Sequence, residues 1–208
     1  MASPLPHVRP GQTHKRGFIH NFQPTIQSAG GNGKLNSPDY ESLLVTLLAL
    51  QGIIGGADTL INHELLERLP ARVEARSEIG LHALREAIYA MLFAATAWYA
   101  WHGAWGFVVA ALLAVEILID AIDEFVENHI RVLPHNERML HFIMIMNLGL
   151  IAATLVLVLL DWVPRPAAVQ PISHGLGSWL LSLLSLASLC WAIRDATAWR
   201  RLGRLHQA

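Results

Sequence analysis

Apolar and polar positions fall in long blocks along this chain. Five apolar runs cover about residues 42–66, 79–101, 104–126, 140–160 and 176–193. As helices rising about 1.5 Å per residue, each is long enough to cross a hydrocarbon layer about 30 Å thick. Only His102 and Gly103 separate the second run from the third, which predicts a tight hairpin. Trp98, Tyr99, Trp101 and Trp105 around it predict an interfacial aromatic belt. A proline-rich stretch over residues 162–171 sets the last run apart from the first four.

The expected fold is all-α and integral to a membrane. It is an up-down four-helix transmembrane bundle with one additional, peripheral C-terminal transmembrane helix. Residues 1–40 are expected to be a polar, flexible tail, since they lack the apolar core of a signal peptide. Residues 41–162 would form the four-helix core. Residues 163–208 would supply the proline-rich linker, the fifth helix and a basic C-terminal tail.

Composition agrees with the pattern. Of 208 residues, 53% are apolar and 15% charged, where a soluble domain carries about 25% charged residues. A net charge of −1 without a basic cluster in the interior gives no reason to expect nucleic acid as a partner. The single cysteine, Cys190, excludes an intramolecular disulfide framework and a cysteine-built zinc site. His7, His14, Lys15, Arg16 and His20 in the tail suit a solvated segment or a strap on a partner subunit better than a metal site.

Basic residues set an expected orientation. Arg68, Arg72, Arg76, Arg131, Arg138, Arg194, Arg200, Arg201 and Arg204 fall on one side of the runs. Arg9, Lys15, Arg16, Lys34 and Arg165 fall on the other. The positive-inside rule makes the first side cytoplasmic, in a bacterial inner membrane.

The acids and histidines carry the chemistry. Twelve of the 16 acidic residues lie between Asp58 and Glu137, many of them inside the apolar runs. Asp58 and His63 close the first helix, and Glu78 and His82 open the second. Asp123 and Glu127 close the third, and Glu137 and His141 open the fourth. In an up-down bundle those four ends share one side, so the groups converge in a single layer. Glu78 and His82 are four apart, as are Glu137 and His141, so each pair shares a helix face. Glu116, Asp120, Asp123 and Glu127 form one acidic stripe. Such a stripe in lipid must meet cations, protons or other acids, and Arg85 and Arg138 cannot neutralise all of it. Glu64, Glu67, Glu74 and Glu124 read instead as groups facing headgroups or water, pairing with Arg68, Arg72 and Arg76.

An internal echo sharpens the pattern. His63 precedes Leu69-Pro70 and then Glu78-Ile-Gly-Leu-His82, while Glu127 precedes Leu133-Pro134 and then Glu137-Arg-Met-Leu-His141. Two similar hairpins in one orientation would create a pseudo-two-fold axis along the membrane normal. Four-helix carboxylate proteins build paired metal sites in this way, with acids from two helices and Glu/His pairs from two others. Carboxylates mixed with imidazoles suit iron, manganese or zinc, and the absence of thiolates argues against copper(I) or an iron–sulfur cluster.

The stretch Asn136-Glu137-Arg138-Met139-Leu140-His141 resembles the N-E-R-M-H box of the alternative oxidases, with one more residue between Glu and His. Those are membrane-associated di-iron quinol oxidases, in which that Glu and His bind iron. The resemblance implies an iron-binding role for Glu137 and His141. Asp58-Thr-Leu-Ile-Asn-His-Glu, Glu67-Arg-Leu-Pro and Leu81-His82-Ala-Leu-Arg85 are also similar to a family of small bacterial four-helix membrane proteins. So are Glu127, Leu133-Pro134, Glu137-Arg138 and His141. That likeness covers about half of the chain and supplies no activity.

The leading expectation is a di-iron-type membrane oxidoreductase acting on a quinol, an acyl chain or another lipid-phase molecule. Two divalent metal ions, iron ahead of zinc or manganese, would be held by Asp58, His63, Glu78, His82, Asp123, Glu127, Glu137 and His141. Asp120 and Glu116 would support the site or deliver protons, with Tyr89 a redox neighbour. Other readings stay open: a zinc-dependent lipid hydrolase, a cation or proton transporter, or a b-type cytochrome with haem between His82 and His141. A non-catalytic subunit of a membrane complex, or a homo-oligomer, is a further possibility. Gly52, Gly55 and Gly56 lie in an apolar helix and read as close helix packing.

Overall fold

The computed structural model describes residues 39–130 and 132–205. The expectations for the N-terminal tail and for Arg131 lie outside the described residues. Among the described residues the fold is all-α apart from one short β-ribbon.

Helix α1 (Tyr40–Asp58) starts at Asp39, whose side chain accepts from the Ser42 backbone N–H at 3.1 Å. The Ser42 hydroxyl also donates to Asp39, and together these bonds hold its carboxyl below the ordinary carboxylate range. The chain then continues as a π-helix over Thr59–Leu66. It closes with the Glu67 N–H donating to Asn62 O and with Arg68 in the left-handed region at φ 50°. A single 3-10 turn (Leu69–Ala71) leads to helix α2 (Arg76–Trp98). Helix α3 (Gly106–Ile130) and helix α4 (His135–Trp162) follow, with Pro134 capping α4. Helix α5 (Leu176–Leu205) ends the described chain.

Four helical stretches are long and apolar enough to cross a membrane: Tyr40–Leu66, Gly103–Ile130, His135–Trp162 and Leu176–Arg204. The second expected span, α2, is not among them. It carries Arg76, Glu78, Arg85 and Glu86, and Glu78 and Arg85 are buried.

Two further expectations are corrected. The turn after α2 is not a bare hairpin at His102-Gly103. Strand β1 (Tyr99–His102) pairs antiparallel with strand β2 (Ala168–Pro171), Tyr99 opposite Pro171 and His102 opposite Ala168. The proline-rich linker thus supplies a strand. Gly103 follows at φ +63°, where a Cβ would lie 2.6 Å from Ala167 Cα, so the ribbon needs glycine there. Helix α5, expected to be peripheral, makes the most extensive helix–helix packing of the chain, along α2. Small and hydroxylated residues allow this close approach. Ser185 Oγ donates to Ala90 O at 2.8 Å, and Trp98 Nε1 donates to Ser182 Oγ at 2.8 Å. A Cβ on Gly80 would meet the Trp199 ring at 2.9 Å.

The main apolar core joins all five helices through Leu48, Phe93, Leu113, Ile151 and Leu181. A smaller cluster packs Leu69, Ala75 and Ile79 against Ala198 and Leu202. This second cluster secures the opening of α2, where Glu78 and His82 sit.

Candidate metal centre

The eight residues expected to bind metal are all buried, and the structure brings them together. Each helix supplies its share by local geometry. On α2 and α4 the four-residue spacing of Glu78 and His82, and of Glu137 and His141, stacks acid and imidazole on one face. Asp123 and Glu127 do the same on α3. Asp58 and His63 are five apart, a spacing that an α-helix would splay by about 140°. The π-helix that begins at Thr59 widens the turn, and His63 Nε2 comes to 3.5 Å from Asp58 Oδ2. Such π segments are frequent at functional sites.

Contacts between the helices interlock. His63 Nε2 lies 3.3 Å from Glu137 Oε1, and its ring meets His82 edge to face with centroids 4.3 Å apart. His82 Nε2 lies 3.2 Å from Asp123 Oδ2. His141 Nε2 lies 3.3 Å from Asp58 Oδ2, and its Nδ1 is 3.3 Å from Glu124 Oε2 and 3.4 Å from Glu127 Oε2. Three groups result: Asp58, His63, Glu137 and His141; His63, Glu78 and His82; and Glu124, Glu127 and His141. Within each, one ligand atom per residue lies within 4.8 Å of the others. His63 belongs to two groups, and so does His141.

These separations fit long hydrogen bonds as well as the ligand spacing around a bound cation. Bonds of about 2.1 Å place neighbouring ligand atoms about 3.4 Å apart in a tetrahedron and about 3.0 Å apart in an octahedron. Direct N–H···O bonds centre nearer 2.9–3.0 Å. The nitrogen–oxygen pairs within the three groups run from 3.3 to 3.5 Å. Among the described residues, the donor set is carboxylate oxygen and imidazole nitrogen, the mixture that iron, manganese and zinc accept. Asp123 is the one expected ligand outside the three groups; it stands between His82 and Arg85.

Glu124 was not anticipated. Its side chain is 42% exposed, which matches its reading as a group facing water, yet its carboxylate reaches His141. The available signal was its position three residues before Glu127 on α3, beside the acidic stripe. Two asparagines were also missed. Asn62 Nδ2 donates to Asp58 Oδ1 at 2.6 Å, and Asn136 Nδ2 donates to Asn62 Oδ1 at 2.8 Å. They hold the Asp58 carboxylate in place and tie the start of α4 to the π-helix. Orienting partners of this kind fix the direction of a ligating carboxylate.

Arg85 closes the layer from within. Its Nη1 donates to Asp123 Oδ2 at 3.1 Å and to Asp120 Oδ1 at 3.3 Å. Arg138, the other cation weighed for the stripe, is exposed. Glu67 pairs with Arg72 at 2.8 Å as expected, whereas Glu64 pairs with Arg194 on α5.

Deeper in the bundle, Glu116 is fully buried. Its carboxyl lies against Tyr89 and within electrostatic reach of Arg85 and Asp120. Tyr89 accepts from Gln51 Nε2 at 3.0 Å, and Asn147 Nδ2 donates to Gln51 Oε1 at 2.8 Å. Of the three residues expected to assist the site, Glu116 and Tyr89 are in none of the three donor groups, whereas Asp120 shares a small cavity with Glu124, Glu127 and His141. No family model matches the chain, and no match was found among curated proteins or solved structures.

Proposed function

We propose that this chain is an integral membrane metalloprotein that holds two divalent metal ions, iron ahead of zinc or manganese. It acts as a di-iron-type oxidoreductase on a lipid-phase substrate. One observation carries the reading: three histidines and four carboxylates from four helical elements interlock in a buried layer, through the shared residues His63 and His141. An apolar bundle gains nothing from burying these groups unless a cation or protons compensate them.

Asp58, His63, Glu137 and His141 would hold one ion, and His63 or its neighbours Glu78 and His82 would contribute to the other. Glu127 and Glu124 offer further ligands. Bound iron would supply one-electron chemistry. Asp123 would fix His82, Arg85 would balance Asp123 and Asp120, and the Asn62–Asn136 pair would orient Asp58. The proposed bundle is up-down, with the layer near the cytoplasmic face of an inner membrane. The arginines of α5 and of the turn after the π-helix support that face.

A second reading is a proton or cation path. Glu116, fully buried inside the bundle beside Arg85, Asp120 and Tyr89, favours it. Metal analysis and an absorption spectrum of the full-length protein purified in detergent separate the two. About two iron atoms per chain would support the oxidoreductase, whereas only traces of any transition metal would overturn it in favour of the path.

A further inference from the structure

A cavity of about 100 Å³ lies between α1, α2 and α5 and reaches in to Asp120 on α3 and Met144 on α4. It is two-sided. Gly52, Phe93 and Leu184 line one end; Thr59, Arg85 and Trp191 line the other. Arg85, Asp120 and Met144 also line a small polar cavity against Asp123, Glu127 and His141. The polar end of the larger cavity therefore abuts the candidate metal layer.

Two groups at that end are unsatisfied. Thr59 is 4% exposed, and neither its hydroxyl nor the buried indole N–H of Trp191 has a hydrogen-bond partner among the described residues. A buried donor left without a partner costs stability, and a cavity beside it leaves room for an acceptor to be supplied from outside. An indole N–H only donates, and a carbonyl oxygen can accept from both groups at once. The wall disfavours a charged head. Arg85 already faces Asp120 and Asp123, and Glu86 in the same wall would repel a carboxylate.

We propose that this cavity binds a lipid-soluble molecule whose buried end is a neutral carbonyl, either an acyl ester or a ring ketone. This names the substrate class of the centre proposed above and rests on that reading. A cavity of about 150 Å³ holds a molecule the size of benzene, so this smaller one takes the carbonyl and the few atoms next to it and leaves the rest of the molecule outside. Gly56 is exposed at the mouth, where a Cβ would meet nothing within 4 Å. Gly55 beside it would place a Cβ 3.6 Å from Met144 Sδ. The glycines therefore keep a lateral opening clear for the tail.

The test is equilibrium binding to the full-length protein in detergent, with methyl oleate and a decyl-substituted benzoquinone as probes and oleate as the charged control. Metal content is measured on every sample. At least one neutral probe should bind near one per chain, with oleate about tenfold weaker. Binding of the ester alone, or of the quinone alone, identifies the source of the carbonyl. Thr59→Val and Trp191→Phe should each weaken binding about tenfold, and Gly56→Leu should block it, all with unchanged metal. Failure of both neutral probes, or variants that bind like the wild type, would overturn the cavity proposal while the metal reading stands. Probe binding by a chain that never holds metal would keep the cavity and remove the centre beside it.

Discussion

Asp58 on α1 places Oδ2 3.3 Å from His141 Nε2 on α4, across 83 residues of sequence. The reciprocal contact exists as well, with Asp123 Oδ2 on α3 lying 3.2 Å from His82 Nε2 on α2. Each histidine of the two E-x-x-L-H segments thus meets an aspartate from the opposite hairpin. The echo in the sequence has a counterpart in space: two hairpins grip each other through matched acid–imidazole contacts.

The shared histidines should be the most sensitive positions for metal. His63→Ala and His141→Ala each remove a donor from two groups and should lower bound metal by at least one equivalent per chain. Asp123→Asn, which loosens His82 without removing a grouped donor, should weaken affinity about 10–100-fold. Metal per chain and a chelator competition measure both effects. Wild-type metal in the two histidine variants would sink the centre.

Glu116→Gln separates the centre from a proton path. Replacing this buried carboxyl by an amide of similar shape should change stability by no more than about 1–2 kcal/mol and leave bound metal in place. Turnover or proton movement should fall. Thermal unfolding followed by metal analysis checks this, and loss of metal would make Glu116 a ligand.

Truncation after Val169 should abolish metal binding. It removes the end of β2 and all of α5, exposing the packed face of the helix that carries Glu78 and His82. Gly80→Val is the milder form. It pushes against Trp199 and should cost about 1–3 kcal/mol, with partial metal loss. A truncated protein with full metal would show that α2 needs no cover.

Asp39 gives a pH-dependent contribution. Its carboxyl is held below the ordinary value by Ser42, so its contribution is fully present above the unfolded pKa. That contribution is lost as pH falls through the lower folded value. Asp39→Ala should cost about 1 kcal/mol at neutral pH, as N-cap removal does. The difference from wild type should vanish in strong acid. Denaturation midpoints at the two pH values measure it; an unchanged gap would mean that the cap acts only through shape.

The helices and the polar layer were legible because both rest on short-range rules. Apolar runs of fixed length and four-residue spacing place Glu78 beside His82 and Glu137 beside His141 without knowledge of the fold. The π-helix was not legible. By α-helical periodicity Asp58 and His63 belong to different faces, and only an extra residue in the turn unites them. The β-ribbon was hidden because Tyr99–His102 reads as helix end and Ala168–Pro171 as linker; pairing them requires the bundle to bring both connections to one end. Packing of α5 on α2 was hidden for another reason. Gly80, Ser182 and Ser185 make a close approach possible but do not name a partner. Charge pairing gave partial guidance: Arg85 meets Asp120 and Asp123, while Glu64 finds Arg194 from the far end of the chain.

The α2–α5 pairing also bears on how the molecule is made. Helix α2 carries Glu78 and His82 of the interlocked histidine–acid layer, yet it is not among the four stretches apolar enough to cross a membrane, so a translocon reading segments one at a time would handle it poorly. Its most extensive cover is α5, which is synthesised after all the other described helices. In a bilayer the helix that bears Glu78 and His82 would therefore wait beside α1 and α3 until α5 has emerged. Burial of the polar layer would be completed only then, and a polypeptide ended before α5 would carry all eight of the candidate residues without the means to cover α2.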